Sequence, residues 1–333
     1  MKNLYKILFV LSYFLFLDLF SMSPNSRLIK NILDKYKVTD VNKFIDSDLT
    51  PIIMASAKGN WDDIDILLKN GADIEIVSKT GETTALIEAC IFEHYDIARS
   101  LLAAFKKQVE DKYNEDKYNK EIKNIVIQKF INQLNKKEYS ALSGLCQNFK
   151  DFSDDENLNE AKRFVFRELL VLGGDFSVLD PISEKNLLML LVTNDDFKMA
   201  EILLEHLKKI YSPQDENLQN KNLDERLLRF VNFRDHNGQT ALFYACANGD
   251  LEMVTLLCDY GAEIDVEDNL GLTPLHLACC FWDVEIVDYL INKLKEMYPN
   301  NDDLLNNFID KKTKGTCEIS SRDLLKRRGY DLL

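Results

Sequence analysis

The sequence predicts an all-α solenoid in which short helix-turn-helix units, joined by short β-hairpin loops, stack side by side. Three observations carry this. The stretch from Asn237 repeats without a gap in the stretch from Leu270, with Thr240 matching Thr273 at a spacing of 33 residues. A period of this length marks stacked repeats. Upstream, the stretch from Leu49 keeps the phase, with Thr50 and Thr84 separated by 34. Only 12 Gly and 6 Pro occur in 333 residues, too few turn formers for a many-stranded β-sandwich.

Each part of the unit has a mechanical reason. Gly238 and Gly271 suit a tight turn with positive φ. Thr273 then caps a helix whose first position is Pro274, where a missing N–H costs nothing. Ala278 and Cys279 are small, so a neighbouring helix can approach. Gly249 ends the short first helix. Leu251, Val254 and Leu257 give the second helix one apolar face, and Gly261 stops it in a left-handed cap.

These residues resemble the ankyrin repeat family. Thr273-Pro274-Leu275-His276 with Ala278 matches its signature, and Gly71-Ala72-Asp73 and Gly261-Ala262-Glu263 match the end of its second helix. The likeness is strong over 44–105 and 230–295. Between them it is degenerate: Ser140-Ala141-Leu142 stands for Thr-Pro-Leu, Asn186-Leu187-Leu188 is weaker, and Gly173-Gly174-Asp175 keeps the register. The resemblance implies an ankyrin-repeat solenoid of about six repeats plus caps.

A second periodicity pairs the repeats. Phe44-Ile45-Asp46, Phe130-Ile131-Asn132, Phe230-Val231-Asn232 and Phe308-Ile309-Asp310 recur, with one Gly-capped terminus between each pair. Each motif reads as a strand start. The even repeats lack the Gly cap and run on into charged, Asn-rich insertions. The expected organisation is a leader 1–23, an N-terminal cap 24–43, double repeats 44–129, 130–229 and 230–307, and a capping half-repeat 308–333. Insertions 111–121, 147–160 and 212–224 read as solvated loops or helical extensions.

Lys2 and Lys6 precede the apolar run Ile7 to Leu17, broken by Ser12 and ended by Asp18. That run is short of the roughly 20 residues that span a bilayer and fits a secretory signal. Export to the periplasm, the cell envelope or the medium is expected, from a bacterium on the Lys-, Asn- and Ile-rich usage. An uncleaved anchor and a buried cytosolic helix are the alternatives.

Lys and Arg total 41 against 55 Asp and Glu, a net charge of −14. Phosphate repulsion then excludes non-specific nucleic-acid binding and favours a basic protein partner. No phosphate loop, dinucleotide fingerprint, nucleophile elbow or paired-His zinc helix occurs. His276, Cys279 and Cys280 share one helix face but fall short of a zinc ligand set; His276 and Cys279 read as core, as do Cys90 and Cys246, and Cys280 as the exposed helix end. No cofactor, metal or small-molecule substrate is expected.

The architecture implies a concave face built from hairpin tips and first helices. The resemblance places a protein partner there, against Glu82, Ile91 and Phe92, then His236, Asn248, Leu270, Leu272 and Phe281. Phe92 and Phe281 are apolar aromatics at nominally exposed positions. They are either contact points or residues that pack under the long extensions of the even repeats. The expected function is a non-catalytic scaffold. A secreted effector acting in a host, and an enzyme with an unrecognised site within 106–230, are the alternatives.

Overall fold

The computed structural model describes residues 24–46, 48–113, 117–147, 155–211, 225–281, 283–299, 301–314 and 319–327. The leader 1–23, the insertion 212–224, Trp282 and Gly329 lie outside the described residues. The chain divides into two compact units, Met1–Leu145 with Asp155–Val165, and Cys146–Asp154 with Phe166–Leu333.

The first unit opens with α1 (Pro24–Tyr36). It buries Ile32 and Tyr36. The Tyr36 hydroxyl and the Lys35 ammonium both donate to Asp63 Oδ2, at 2.6 and 2.5 Å. Two helix pairs follow, α2 (Pro51–Lys58) with α3 (Trp61–Lys69), and α4 (Ala85–Ile91) with α5 (Tyr95–Lys112). The inner helices α2 and α4 pack together, as do the outer helices α3 and α5. Gly59 ends α2 at φ 70° and Gly71 follows α3 at φ 78°. The second outer helix, without such a stop, reaches 18 residues against nine for α3. Then come α6 (Lys117–Ile131), α7 (Ala141–Cys146) and α8 (Glu156–Val171), the last two passing from the first unit into residues assigned to the second.

The second unit continues with α9 (Leu187–Thr193), α10 (Phe197–Tyr211), α11 (Glu225–Val231), α12 (Ala241–Asn248), α13 (Leu251–Asp259), α14 (Pro274–Phe281), α15 (Val284–Met297), α16 (Asp302–Ile309) and α17 (Ser321–Arg327). Here α9, α12, α14 and α17 form the inner row, and α10, α13 and α15 the outer row. Val254 and Leu257 of α13 are fully buried, as the spacing-three face requires. Ala278 and Cys279 are also fully buried, where α14 meets α12.

One expectation is corrected. The Phe-Ile-Asn motifs do not start strands. Phe130-Ile131, Phe230-Val231 and Phe308-Ile309 close the linking helices α6, α11 and α16. Their apolar residues serve as helix ends: Phe130 stacks on Phe105 at 4.1 Å between ring centroids, and Phe230 meets Phe176 edge-on at 5.7 Å. Only two isolated β-bridges, Ile45 with Leu49 and Lys312 with Ser320, occur among the described residues. Insertion 111–121 runs largely into α5 and α6, and α8 starts inside insertion 147–160.

The hairpin loops close without strands because a side chain replaces the ladder. At Asp268, the backbone N–H donates to Leu272 O at 2.8 Å, and Oδ1 accepts the N–H groups of Leu270 and Leu272 at 2.9 Å each. Asp235 does the same for Asn237 and Gln239, and Asn135 for Lys137 and Tyr139. Ser78, Asp180 and Thr313 hold the longer variants, accepting from the N–H groups of Thr83, Ser183 and Ile319. All six are buried, and such Asx and Ser/Thr turns are what short polar side chains do best.

Two asparagines, Asn42 and Asn232, clamp the Gly-capped end of their repeats. Asn232 Nδ2 donates to Gly261 O at 2.9 Å, and Oδ1 accepts from Glu263 N–H at 2.8 Å. Asn42 repeats both bonds to Gly71 O and Asp73 N–H in the first unit. Replacing Asn232 by Ala removes two such bonds, each with a net worth of about 1 kcal/mol. Urea unfolding of Asn232→Ala is expected to show a loss of about 1–3 kcal/mol, and an unchanged midpoint would show that the clamp is idle.

Candidate functional site

Adjacent hairpin fingers are tied by single backbone bonds. In the first unit Lys79 N–H donates to Asp48 O at 3.4 Å and Lys136 N–H to Gly81 O at 2.8 Å. In the second, Asn269 N–H donates to Asn237 O at 2.9 Å and Lys314 N–H to Leu270 O at 2.7 Å. Between the fingers at Ser183 and His236 the tie is the His236 ring, Nδ1 lying 3.0 Å from Ser183 O. His236 is therefore exposed yet already engaged with a structural partner. The inner helices are pinned as well: Asn248 Nδ2 reaches Val192 O at 2.9 Å, and Asn194 Nδ2 reaches Cys146 O at 2.7 Å.

The other expected contact residues divide by exposure. Phe92, Phe281 and Leu270 stand 52%, 62% and 61% exposed, so neither Phe is covered by an outer-helix extension. Glu82 is exposed at a finger tip with φ 52°. Two of the expected contact residues are partly covered. Ile91 is half-buried and packs on Gly144, where an added Cβ would lie 3.0 Å from Ile91 Cγ1. Leu272 is half-buried too, and its backbone N–H donates to the Asp268 carboxylate.

Three inner-face residues went unread in the sequence. Ile182, at the tip of the Asp180 finger, is 84% exposed. Lys185 and Tyr244 meet on the floor beside it: the ammonium sits 3.9 Å from the Tyr244 ring centroid and donates to Thr193 Oγ1 at 3.0 Å. The Tyr244 hydroxyl donates to Asp235 Oδ2 at 2.5 Å. Counting back from Asn186, the counterpart of Thr240, places Lys185 in the register of Gln239. The degenerate signature around Asn186 hid that match.

His276 is buried and double-tied. Its Nδ1 accepts from the Thr273 N–H at 3.2 Å, and Nε2 faces Lys311 O at 3.1 Å, joining α14 to the last finger. Burial holds its pKa below the ordinary value, against the pull of the Lys311 carbonyl. Cys279 is buried behind it and Cys280 is exposed. Among the described residues no group of three or more His, Cys, Asp or Glu side chains could hold a metal ion. No disulfide joins Cys90, Cys146, Cys246, Cys258, Cys279 or Cys280. Burial raises the Cys246 thiol well above its usual pKa and pushes Cys258 up to about 11, so both are poor nucleophiles at neutral pH. No helix among the described residues is long and apolar enough to cross a membrane.

The three-copy ankyrin repeat model matches residues 19–112 and 212–303, more than half of the sequence. The chain belongs to the ankyrin repeat family. The ankyrin repeat and KH domain-containing protein mask-1 of Caenorhabditis elegans is 36% identical over 75 residues, which is 22% of this chain and 3% of that protein. The putative ankyrin repeat protein FPV034 of Fowlpox virus (strain NVSL) is 29% identical over 136 residues, 34% of this chain and 32% of that one. The ankyrin chain thus spans a third or less of these relatives. A chain in the solved complex of the Bd0816 predatory endopeptidase of Bdellovibrio bacteriovorus with immunity protein Bd3460 aligns at 21% identity and a TM-score of 0.48. That alignment covers 73% of this chain and 97% of the other.

The buried His276 makes ankyrin-unit stability pH-dependent. Below about pH 6.5, the ordinary value for an unfolded His, the unfolded chain takes up a proton that the folded site refuses. Stability is then lost as pH falls from that value towards the folded pKa. Urea titrations at pH 7.5 and 5.5 are expected to show a shallower decline in His276→Gln than in the wild type. Parallel declines would assign the effect elsewhere, His206 being the other His whose pKa is held down by burial.

Proposed function

We propose that this ankyrin protein is a non-catalytic scaffold that holds a protein partner against the finger tips and inner helices. Ankyrin repeats generally mediate protein–protein interaction, and the family generally serves as a non-enzymatic module. The observation that carries the reading is the exposed apolar set Ile182, Leu270 and Phe281 in the second unit. Side chains of this kind cost solubility when left in water, and on a backbone pinned by the finger and Asn bonds they lose little entropy on contact. The net charge of −14 favours a partner with a basic surface, through long-range attraction. Phe92 plays the corresponding part in the first unit. We further take Ile7 to Leu17 as an export signal, which places the partner outside the cytoplasm.

Affinity capture from native cells, read by mass spectrometry, tests this with Phe92→Ser/Phe281→Ser beside the wild type. The double variant is expected to keep its helical circular dichroism and lose the partner, with each anchor contributing about 2 kcal/mol of affinity, roughly thirtyfold. Loss of helicity would assign the two rings to the core instead. Intact-mass analysis of the captured protein is expected to show removal of the leader.

A further inference from the structure

Lys185 is a lysine in an unusual place. It is the last residue before Asn186, whose side chain caps α9 by accepting from Met189 N–H at 2.9 Å. Instead of turning out to water, the Lys185 chain runs along α9 to the last residue of that helix. There its ammonium donates to Thr193 Oγ1, whose own hydroxyl proton is committed to Met189 O at 2.7 Å. A lysine ordinarily lays its stem on the protein and keeps its head in solvent. Here the head lies on the Tyr244 ring and is half-buried.

No carboxylate oxygen comes within ion-pair distance of this ammonium among the described residues. Asp180 and Asp235 attract it from further off, while neutral donors hold their oxygens. Asp180 Oδ1 accepts from Gln147 at 2.7 Å and Oδ2 from the Ser183 N–H and hydroxyl at 2.7 and 2.5 Å. Asp235 Oδ1 accepts two backbone N–H groups and Oδ2 the Tyr244 hydroxyl. Burial accordingly lowers the Lys185 pKa in spite of both charges. In the next two repeats the same register holds uncharged residues: Gln239, bonded to Asp268 Oδ2 at 3.0 Å, and the half-buried Leu272. The charge is therefore particular to this notch between α9 and α12.

A partly desolvated cation with one hydrogen bond to an uncharged hydroxyl, and donor capacity left over, is costly to hold and gains most from an anion. We propose that Lys185 is the seat of a single carboxylate, an Asp or Glu side chain of the protein partner, received on the floor of the second unit between Thr193 and Tyr244. This deepens the scaffold reading and rests on it. A partner basic overall still fits, because long-range attraction acts on the whole surface, whereas this contact is local and desolvated.

The test uses the full chain labelled with 13Cε,15Nζ-lysine, the Lys185 signal being assigned by its absence in Lys185→Met. The probes are N-acetyl-glutamate α-amide and its uncharged counterpart, N-acetyl-glutamine α-amide. The expected result is a saturable shift of the Lys185 signal with the glutamate probe, at about a tenth of the concentration that moves the exposed Lys295, and no shift with the glutamine probe. A Lys185 response no stronger than that of Lys295, or equal for both probes, overturns the proposal. Phe281→Ser should leave this response intact while abolishing partner capture. Failure of the carboxylate seat is thus separable from failure of the scaffold reading.

Discussion

The buried polar residue at the base of the hairpin fingers from Ser78 onward is the interaction on which the stack depends. A loop that leaves an outer helix and returns to an inner one must satisfy its own backbone groups or lose them to burial. Asp268, Asp235 and Asn135 do this with one oxygen that takes two N–H groups. The fold of the loop is thereby local and does not wait for a neighbouring strand. Once folded, a finger offers a carbonyl at its edge, and the next finger docks on it through a backbone N–H, as Asn269 does on Asn237, or through a side chain, as His236 does on Ser183. The inner helices inherit their spacing from that docking.

A division of labour follows between Gly-capped and extended repeats. Gly71 and Gly261 stop the outer helix and present a carbonyl that Asn42 and Asn232 can reach. The long helices α5, α10 and α15 have no such stop, so the chain must return by a linking helix before the next finger. Phe130 and Phe230 anchor those returns on aromatic neighbours. The linking helices are in this sense the geometric cost of omitting a glycine.

Much of this was legible in the sequence, because period, capping and small-residue positions are local signals. The Thr-Pro-Leu-His phase placed α14, and the missing Gly caps announced the long outer helices. The linking helices were misread because Phe-Ile-Asn looks equally at home entering a strand and ending an amphipathic helix, and only the apolar spacing of the preceding fifteen residues separates the two. The partial cover of Ile91 was not legible, because exposure at a helix end depends on what the next repeat presents, here Gly144. Lys185 was hidden because its repeat keeps the geometry of the family while losing the letters.

The tightest point of the fingers carries a further meaning. Gly238 and Gly271 occupy a left-handed position at φ 76° and 75°. The matching residues in earlier repeats are Glu82 and Glu138 in the first unit and Glu184 in the second, at φ 52°, 65° and 54°. A side chain there costs about 1 kcal/mol over glycine. Each such finger gives up a little stability to carry a negative charge at its outermost turn. These three acidic turns give up stability that glycine would keep, and restoring glycine there is one route to a thermostabilised version of the scaffold.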